Sequence, residues 1–408
     1  MGYGFSAADI AYLASPPGVA ALAEVAELEL TSASQLRDVA AVRRTHGDRA
    51  SALIETVRLR RRAAVKLSGA QHWLFTDDAL QQATPTRVAR HRARRLAGRD
   101  VHDVTCSIGA ELAELVRVCP RVVGSDLDPI RLAIAQHNVR DAGAVAENAA
   151  EVGESGLQGP MGTILLAQAD ALVPCTSGTA IIADPARRAG GRRTHDPSAL
   201  QPPLPDLLDA YAGRDLAVKC APGLDFDLLA WAGEVEVVSL DGAVREACLW
   251  SPGLGEPGVT RRATVLTGAD GVTTLTDADP DDIPERAPGE WIIDPDGAVV
   301  RAGLVRHYAA RHGLWQLDSR IAYLTGDRVP DGMRGFRIID RLDVREKTLR
   351  TELRRRDCGA LEILVRGVDV DPDALRRRLK PSGSEPYTLV ITRIGRTAAA
   401  FLCRASRA

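Results

Sequence analysis

The sequence predicts an α/β protein: a doubly wound parallel sheet, with a helical N-terminal domain and a small C-terminal α+β domain. Three observations predict it. Apolar residues recur at three- and four-residue steps through roughly the first hundred positions. From Val101 onward, short apolar runs alternate with helical stretches, the signature of βαβ units. After an Asp- and Pro-rich stretch at 270–290, strands and helices resume. At 408 residues the chain is also too long for one ordinary core.

Taken in order, the helical domain covers 1–99, with apolar positions at Ile10, Leu13, Val19, Leu22 and Val25, then Leu53, Ile54, Val57 and Leu59. Pro16-Pro17 and His46-Gly47-Asp48 mark its breaks. Residues 100–269 form the sheet domain. Strands are expected at Val101–Val104, Arg121–Asp126, Gly162–Gln168, Ala180–Ala183 and Asp215–Cys220, and Val235–Leu240 and Arg262–Leu266 could complete the sheet. Residues 270–290 read as an acidic linker, and 291–408 as the α+β domain. There Trp291–Asp294 and Ala298–Arg301 suggest a hairpin about Asp296-Gly297. Strands at Arg334–Ile339, Leu361–Val365, Pro386–Ile394 and Ala398–Cys403 alternate with helices at Glu346–Arg356 and Pro372–Leu379.

Composition excludes several classes. Hydrophobic residues are 45% and charged residues 26%, an ordinary globular balance. No apolar run reaches the ~18–20 residues of a membrane helix, and the N-terminus lacks a basic start followed by an apolar stretch. A cytoplasmic protein without membrane contact is the expectation. Seven Cys without a CxxC pair and eight scattered His signal neither a disulfide framework nor a structural metal. The net charge of −2 hides an uneven distribution: 337–408 holds seventeen Lys/Arg against ten Asp/Glu, and 58–99 eleven against two. Because Lys occurs at only four positions, Arg richness by itself says little about phosphate binding.

In a doubly wound sheet the ligand lies outside the carboxyl ends of the strands. Those ends read Asp103-Val104-Thr105-Cys106-Ser107-Ile108-Gly109-Ala110-Glu111, then Gly124-Ser125-Asp126, then Ala169-Asp170-Ala171, then Asp184-Pro185-Ala186-Arg187-Arg188. The first is not G-x-G-x-x-G, which disfavours a pyrophosphate cradle. Asp126 is placed to accept hydrogen bonds from ribose hydroxyls and Asp170 to take an adenine amine. A sugar and an adenine without phosphates describe S-adenosylmethionine. Each residue also has a plainer role: Asp126 a helix N-cap, Asp170 a surface acid, Asp184 an Asp-Pro turn closing its strand.

At this point the chain resembles the class I S-adenosylmethionine-dependent methyltransferases, whose sheet is Rossmann-like. Asp103–Glu111 resembles their first motif, which implies cofactor contacts at Asp103, Cys106 and Gly109, joined by Asp126 and Asp170. Only one glycine stands in that motif, with Ser107 where Gly is common. Asp184-Pro185-Ala186-Arg187 is similar to the fourth motif of amino-group methylases and to that of uridine C5-methylases, with no aromatic following. The resemblance makes Asp184 and Pro185 the catalytic pair. The segment containing Trp73-Leu74-Phe75 resembles the lead-in of trimethylguanosine-synthase-like enzymes, and Val368–Pro372 with Thr388–Ile394 resembles a THUMP-like RNA-associated domain. RNA is therefore the expected partner, guanine N2 or another exocyclic amine the favoured acceptor, and Trp73, Arg187 and Arg188 the substrate contacts. Two other functions stay open: a non-catalytic RNA- or cofactor-binding protein on a methylase fold, and a small-molecule methyltransferase. Cys220, just before Ala221-Pro222, could serve C5 chemistry if Lys219 lowered its pKa, but a buried free Cys is the favoured reading.

Overall fold

The computed structural model describes residues 2–152, 162–187, 196–225, 229, 231–284 and 286–407. The chain divides into two compact units, Met1–Glu234 with Glu246–Pro257 and Val235–Arg245 with Gly258–Ala408.

The first unit opens with α1 (Ala7–Leu13), α2 (Pro16–Ala26), α3 (Gln35–His46), α4 (Ala50–Ala63), α5 (Asp77–Gln82) and α6 (Thr86–Arg95). Local sequence sets the starts. Ser6 and Asp9 form a capping box before α1, and Ser15 caps α2 ahead of Pro16-Pro17, whose fixed φ suits a first turn. The apolar stripes meet in one core of Leu13, Leu22, Leu53, Val57, Leu74 and Phe75.

The sheet follows with β1 (Val101–Asp103), α7 (Leu112–Leu115), β2 (Arg121–Asp126), α8 (Pro129–Val152), β3 (Thr163–Gln168), β4 (Ala180–Ala183), β5 (Ala186–Arg187), β6 (Leu200–Gln201), α9 (Leu204–Ala210), β7 (Leu216–Cys220), β8 (Glu234–Leu240) and β9 (Ala243–Trp250). In the first unit the order is β9-β7-β4-β1-β2-β3. The strands from β7 to β3 are parallel, and β9 is antiparallel to β7. The central strands β1 and β4 are buried throughout, as expected of a sheet covered on both faces. Gly124 in β2 answers to close packing: a Cβ there would lie 2.5 Å from Leu112 Cδ1 and 2.9 Å from Leu166 Cδ2.

In the second unit β8 pairs in parallel with β10 (Arg261–Thr267), which pairs antiparallel with β11 (Gly271–Thr276). Next come β12 (Trp291–Ile293), α10 (Gly297–Arg301), α11 (Val305–His312), β13 (Trp315–Gln316), β14 (Leu324–Gly326), β15 (Arg334–Leu342), α12 (Glu346–Arg355), β16 (Cys358–Arg366), α13 (Pro372–Leu379), β17 (Glu385–Ile394) and β18 (Thr397–Arg407). Their sheet runs β13-β14-β12-β15-β18-β17-β16. Leu349, Leu353, Leu375 and Leu379 of the two long helices pack on Leu361, Ile363, Leu389 and Leu402 of the strands.

Three differences from expectation have clear local causes. Residues 297–301 are a helix, not the second arm of a hairpin. The Asp296 carboxylate accepts the Ala298 N–H at 2.8 Å and so caps the helix instead of closing a β-turn. The expected linker begins as strand β11, where Leu275 is buried among β-branched neighbours. Strand β9 was not anticipated, because Arg245-Glu246 interrupt its apolar run, yet 246–250 are buried. Among the described residues, no helix is long and apolar enough to cross a membrane.

Candidate active site

The strand ends of the first unit surround a cleft of about 940 Å³, within the ~300–1,000 Å³ typical of small-molecule sites. Asp103, Cys106, Asp126, Asp170 and Asp184 all line it. Four successive strand ends therefore do converge.

Hydrogen bonds tie these ends together before any ligand arrives. The turn after β1 places Ser107 at φ +48° and Gly109 at φ +79°, both in the left-handed region. Ser107 thus adopts a conformation natural to glycine. Its N–H donates to Asp126 Oδ2 at 3.0 Å, linking the β1 turn to the end of β2. Asp126 Oδ1 accepts from Asp128 N–H at 2.9 Å. The helix N-cap belongs to Asp128, whose Oδ1 accepts from Ile130 N–H at 2.8 Å, so the plainer role weighed for Asp126 falls to its neighbour. Asp170 is exposed, with Oδ1 accepting from Leu172 N–H at 2.9 Å. The Asp184 N–H donates to Thr105 Oγ1 at 2.7 Å, and Thr105 N–H donates to Asp103 Oδ1 at 3.0 Å. Gly109 does not line the cleft. It lets the turn pass Ala135 and Val139, where a Cβ would stand 3.2–3.3 Å from their atoms.

Beneath this frame lies a charged cluster. Lys219 of β7 donates to Asp184 Oδ2 at 2.6 Å, with the lysine side chain 14% exposed and the carboxylate 42%. The buried Arg92 of α6 pairs with Glu111 Oε2 at 2.6 Å and with Glu246 of β9. Burial, reinforced by the charges of Glu111 and Asp184 against the pull of the Thr105 N–H and Arg92, pushes the Asp103 carboxyl up to about 8. Burial likewise pushes Glu111 up to about 7, with Arg92 and Lys219 pulling down and Glu246 pushing up. Burial pulls the Lys219 ammonium down, but Asp184 and Glu246 outweigh it and hold it above its ordinary value. The cleft lining carries seven carboxyl groups, at Asp78, Asp103, Glu111, Asp126, Asp128, Asp170 and Asp184, and three cations, at Arg92, Arg131 and Lys219. Such a lining favours a cationic ligand over a phosphate.

Other expected residues are placed differently. Trp73 is 4% exposed inside the helical core, 6.4 Å from the Phe75 ring centroid, and does not line the cleft. As a substrate contact it is corrected: its apolar bulk goes to packing. Pro185 is buried behind Asp184 and is not part of the lining. Arg187 lies on β5, which pairs with β6; its side chain and the whole of Arg188 lie outside the described residues. Cys220 is 6% exposed, away from the cleft, and burial pushes its thiol well above the usual range. Among the residues not anticipated in the lining are Arg92, Arg131, Lys219, the Gln201-Pro202-Pro203 segment, and Gln81–Thr84 at the end of α5 and just beyond it.

Similarity to known proteins agrees with this geometry. Residues 333–405 match the family model THUMP domain-like, and 6–63 match a domain of unknown function. Two relatives from Mycobacterium tuberculosis, strains CDC 1551 and H37Rv, are each described as an uncharacterized S-adenosylmethionine-dependent methyltransferase. Each is 54% identical over 379 residues, covering 90% of this chain and 100% of its own length. A crystal structure of a putative methyltransferase from Porphyromonas gingivalis W83 superposes with a TM-score of 0.73 at 17% identity, covering 99% of this chain and 100% of its own. With four strand-end motifs around one cleft and full-length relatives at this identity, the chain belongs to the S-adenosylmethionine-dependent methyltransferases.

Proposed function

We propose that this methyltransferase modifies RNA, at an exocyclic amine such as guanine N2. The observation that carries the reading is the convergence of Asp126, Asp170 and Asp184 on one acid-lined cleft. The donor fits it: adenosine hydroxyls and amine meet Asp126 and Asp170, and an acid surplus suits a cation. When bound, S-adenosylmethionine supplies a methyl group already activated on a sulfonium. The protein's task is then alignment. Asp184, held by Lys219 and by the Thr105 hydroxyl, accepts the N–H groups of the acceptor amine and aims the nitrogen lone pair into the cleft. The buried Cys220, with its raised thiol, speaks against a covalent C5 mechanism. The THUMP domain-like match at 333–405, in the segment with the basic surplus, supports RNA as the substrate class.

The test is tritium transfer from labelled S-adenosylmethionine into total RNA of a strain lacking the gene, followed by nucleoside identification. An N-methylated nucleoside, lost with Asp184→Ala, is expected. Label confined to small molecules would overturn the RNA reading, and label on pyrimidine C5 would overturn the amine reading.

A further inference from the structure

Lys219 holds more hydrogen-bonding capacity than the protein uses. An ammonium carries three N–H donors, and among the described residues this one makes a single hydrogen bond, to Asp184 Oδ2 at 2.6 Å. The two other carboxylates whose charge reaches it, Glu111 and Glu246, are paired with Arg92. Glu111 Oε1 receives no hydrogen bond among the described residues. The Lys219 side chain is nevertheless only 14% exposed, and it lines the cleft. A charged donor held largely out of bulk water is costly while its N–H groups lack acceptors, so an occupant that brings a lone pair is favoured there.

Strand register puts that capacity at the acceptor end. Strands β4 and β7 run parallel with Ala183 opposite Val218, so Asp184 and Lys219 leave neighbouring strands at one level. Arg131 stands 3.8 Å from Asp128, beyond the end of β2. Around Asp184 the lining side chains of Ala186, Gln201, Pro202 and Pro203 add no further cation. The ammonium takes Asp184 Oδ2, while Oδ1 makes no hydrogen bond among the described residues and the carboxylate is 42% exposed. The pair thus shows the cleft an acceptor and a donor side by side.

On the proposed reading, on which this inference rests, an amine N–H of the acceptor base meets Asp184. The carbon that bears the amine is flanked in adenine by N1, in cytosine by N3 and in guanine by N3, each a ring nitrogen with a lone pair. We propose that Lys219 donates to that ring nitrogen, so that the pair reads the amine and its neighbour together. For guanine this fixes the orientation, because the other flank, N1, carries a hydrogen and cannot accept. The N2–N3 edge then faces the ends of β4 and β7. Uracil offers the pair a ring N–H and a carbonyl but brings no amine to Asp184. The contact orients the base and does not activate it, since a donor on the ring nitrogen draws electron density away from the amine.

The test uses the full chain and transcripts of the strain's transfer and ribosomal RNAs, made with guanosine, 3-deazaguanosine or 7-deazaguanosine. The 3-deaza base keeps the amine but has C–H in place of N3, and the 7-deaza base loses a nitrogen remote from the amine. The wild type is expected to methylate the guanosine and 7-deazaguanosine transcripts alike and the 3-deazaguanosine transcripts about tenfold less well in kcat/KM. Lys219→Met is expected to bring that ratio toward one, and Lys219→Arg, which keeps a charged donor, to preserve it. The ratio is read within each variant, so a general loss of rate from freeing Asp184 leaves it unaffected. A role confined to holding Asp184 predicts equal wild-type rates with and without N3. That result, an equal loss on 7-deazaguanosine, or a ratio that survives Lys219→Met would overturn the inference. Transfer to none of the transcripts overturns the guanine-amine reading itself. Should Lys219→Met be inactive, the wild-type ratio and Lys219→Arg decide.

Discussion

Asp103→Asn should change how the stability of the free protein depends on pH, and the size follows from the site. In the unfolded chain this carboxyl titrates near the ordinary aspartate value of 3.8; in the fold burial raises it to about 8. Between those values the folded state holds a proton that the unfolded state has lost, so Asp103 makes stability fall as pH rises. The lowered carboxyls, such as Asp9, Asp38 and Glu352, contribute stability that is lost only as pH falls through the acid range. His102, held near 4 by burial and by Arg214, acts in the opposite sense to Asp103 but only below the ordinary histidine value of 6.5. A window from roughly pH 6.5 to 8 therefore belongs mainly to Asp103, with Glu111 adding to it up to about 7. One proton corresponds to about 1.4 kcal/mol per pH unit, so the wild type should lose about 1.5–2 kcal/mol across that window relative to Asp103→Asn. Denaturant titrations of both proteins at pH 6.5, 7.2 and 8 measure the difference. Parallel curves would show that Asp103 is ionised throughout, and the burial argument for this carboxyl would fail.

The remaining predictions concern the frame and its neighbours. Ser107→Gly relieves a side chain held at φ +48° and should stabilise by about 0.5–1 kcal/mol in thermal denaturation, the relief exceeding the added chain entropy. Gly124→Ala puts a methyl 2.5 Å from Leu112 Cδ1 and should cost about 1–3 kcal/mol, read by the same method. Cys220→Ala should leave the methyl-transfer rate unchanged, and loss of transfer would restore the C5 mechanism. RNA affinity measured between 50 and 200 mM salt should fall steeply through counterion release, and a flat response would point to a small-molecule acceptor.

The line of carboxylates was legible because a strand's end can be read from its apolar run, and the residue just beyond is then fixed. The C-terminal domain was legible for a related reason, as α13 begins at Pro372 after the capping Asp371. The charged floor of the site was not legible, because Arg92 meets Glu246 across a sequence separation of 154 residues. Lys219 was visible, but the sequence offered only its chain neighbour Cys220 as a partner to weigh, not Asp184. Adjacent residues in a strand face opposite sides of the sheet, so the ammonium that meets Asp184 lies away from the Cys220 thiol. Trp73 misled for the opposite reason, since an aromatic beside Leu74 and Phe75 fits a core as well as a ligand contact.

Charge is the thread that joins site and substrate. A net charge of −2 describes neither the cleft nor the chain's end. The cleft sets seven carboxyls, of which Asp103 keeps its proton up to about pH 8, against three cations, and that balance still disfavours phosphate and favours a sulfonium. For the RNA acceptor proposed above, that lining requires the phosphates to be held by groups outside the cleft, with only an uncharged base admitted to it. The basic surplus at 337–408 lies within the second unit, apart in sequence from every residue that lines the cleft. Acid where a cation must sit and base where phosphates can be gripped are demands that one surface cannot meet.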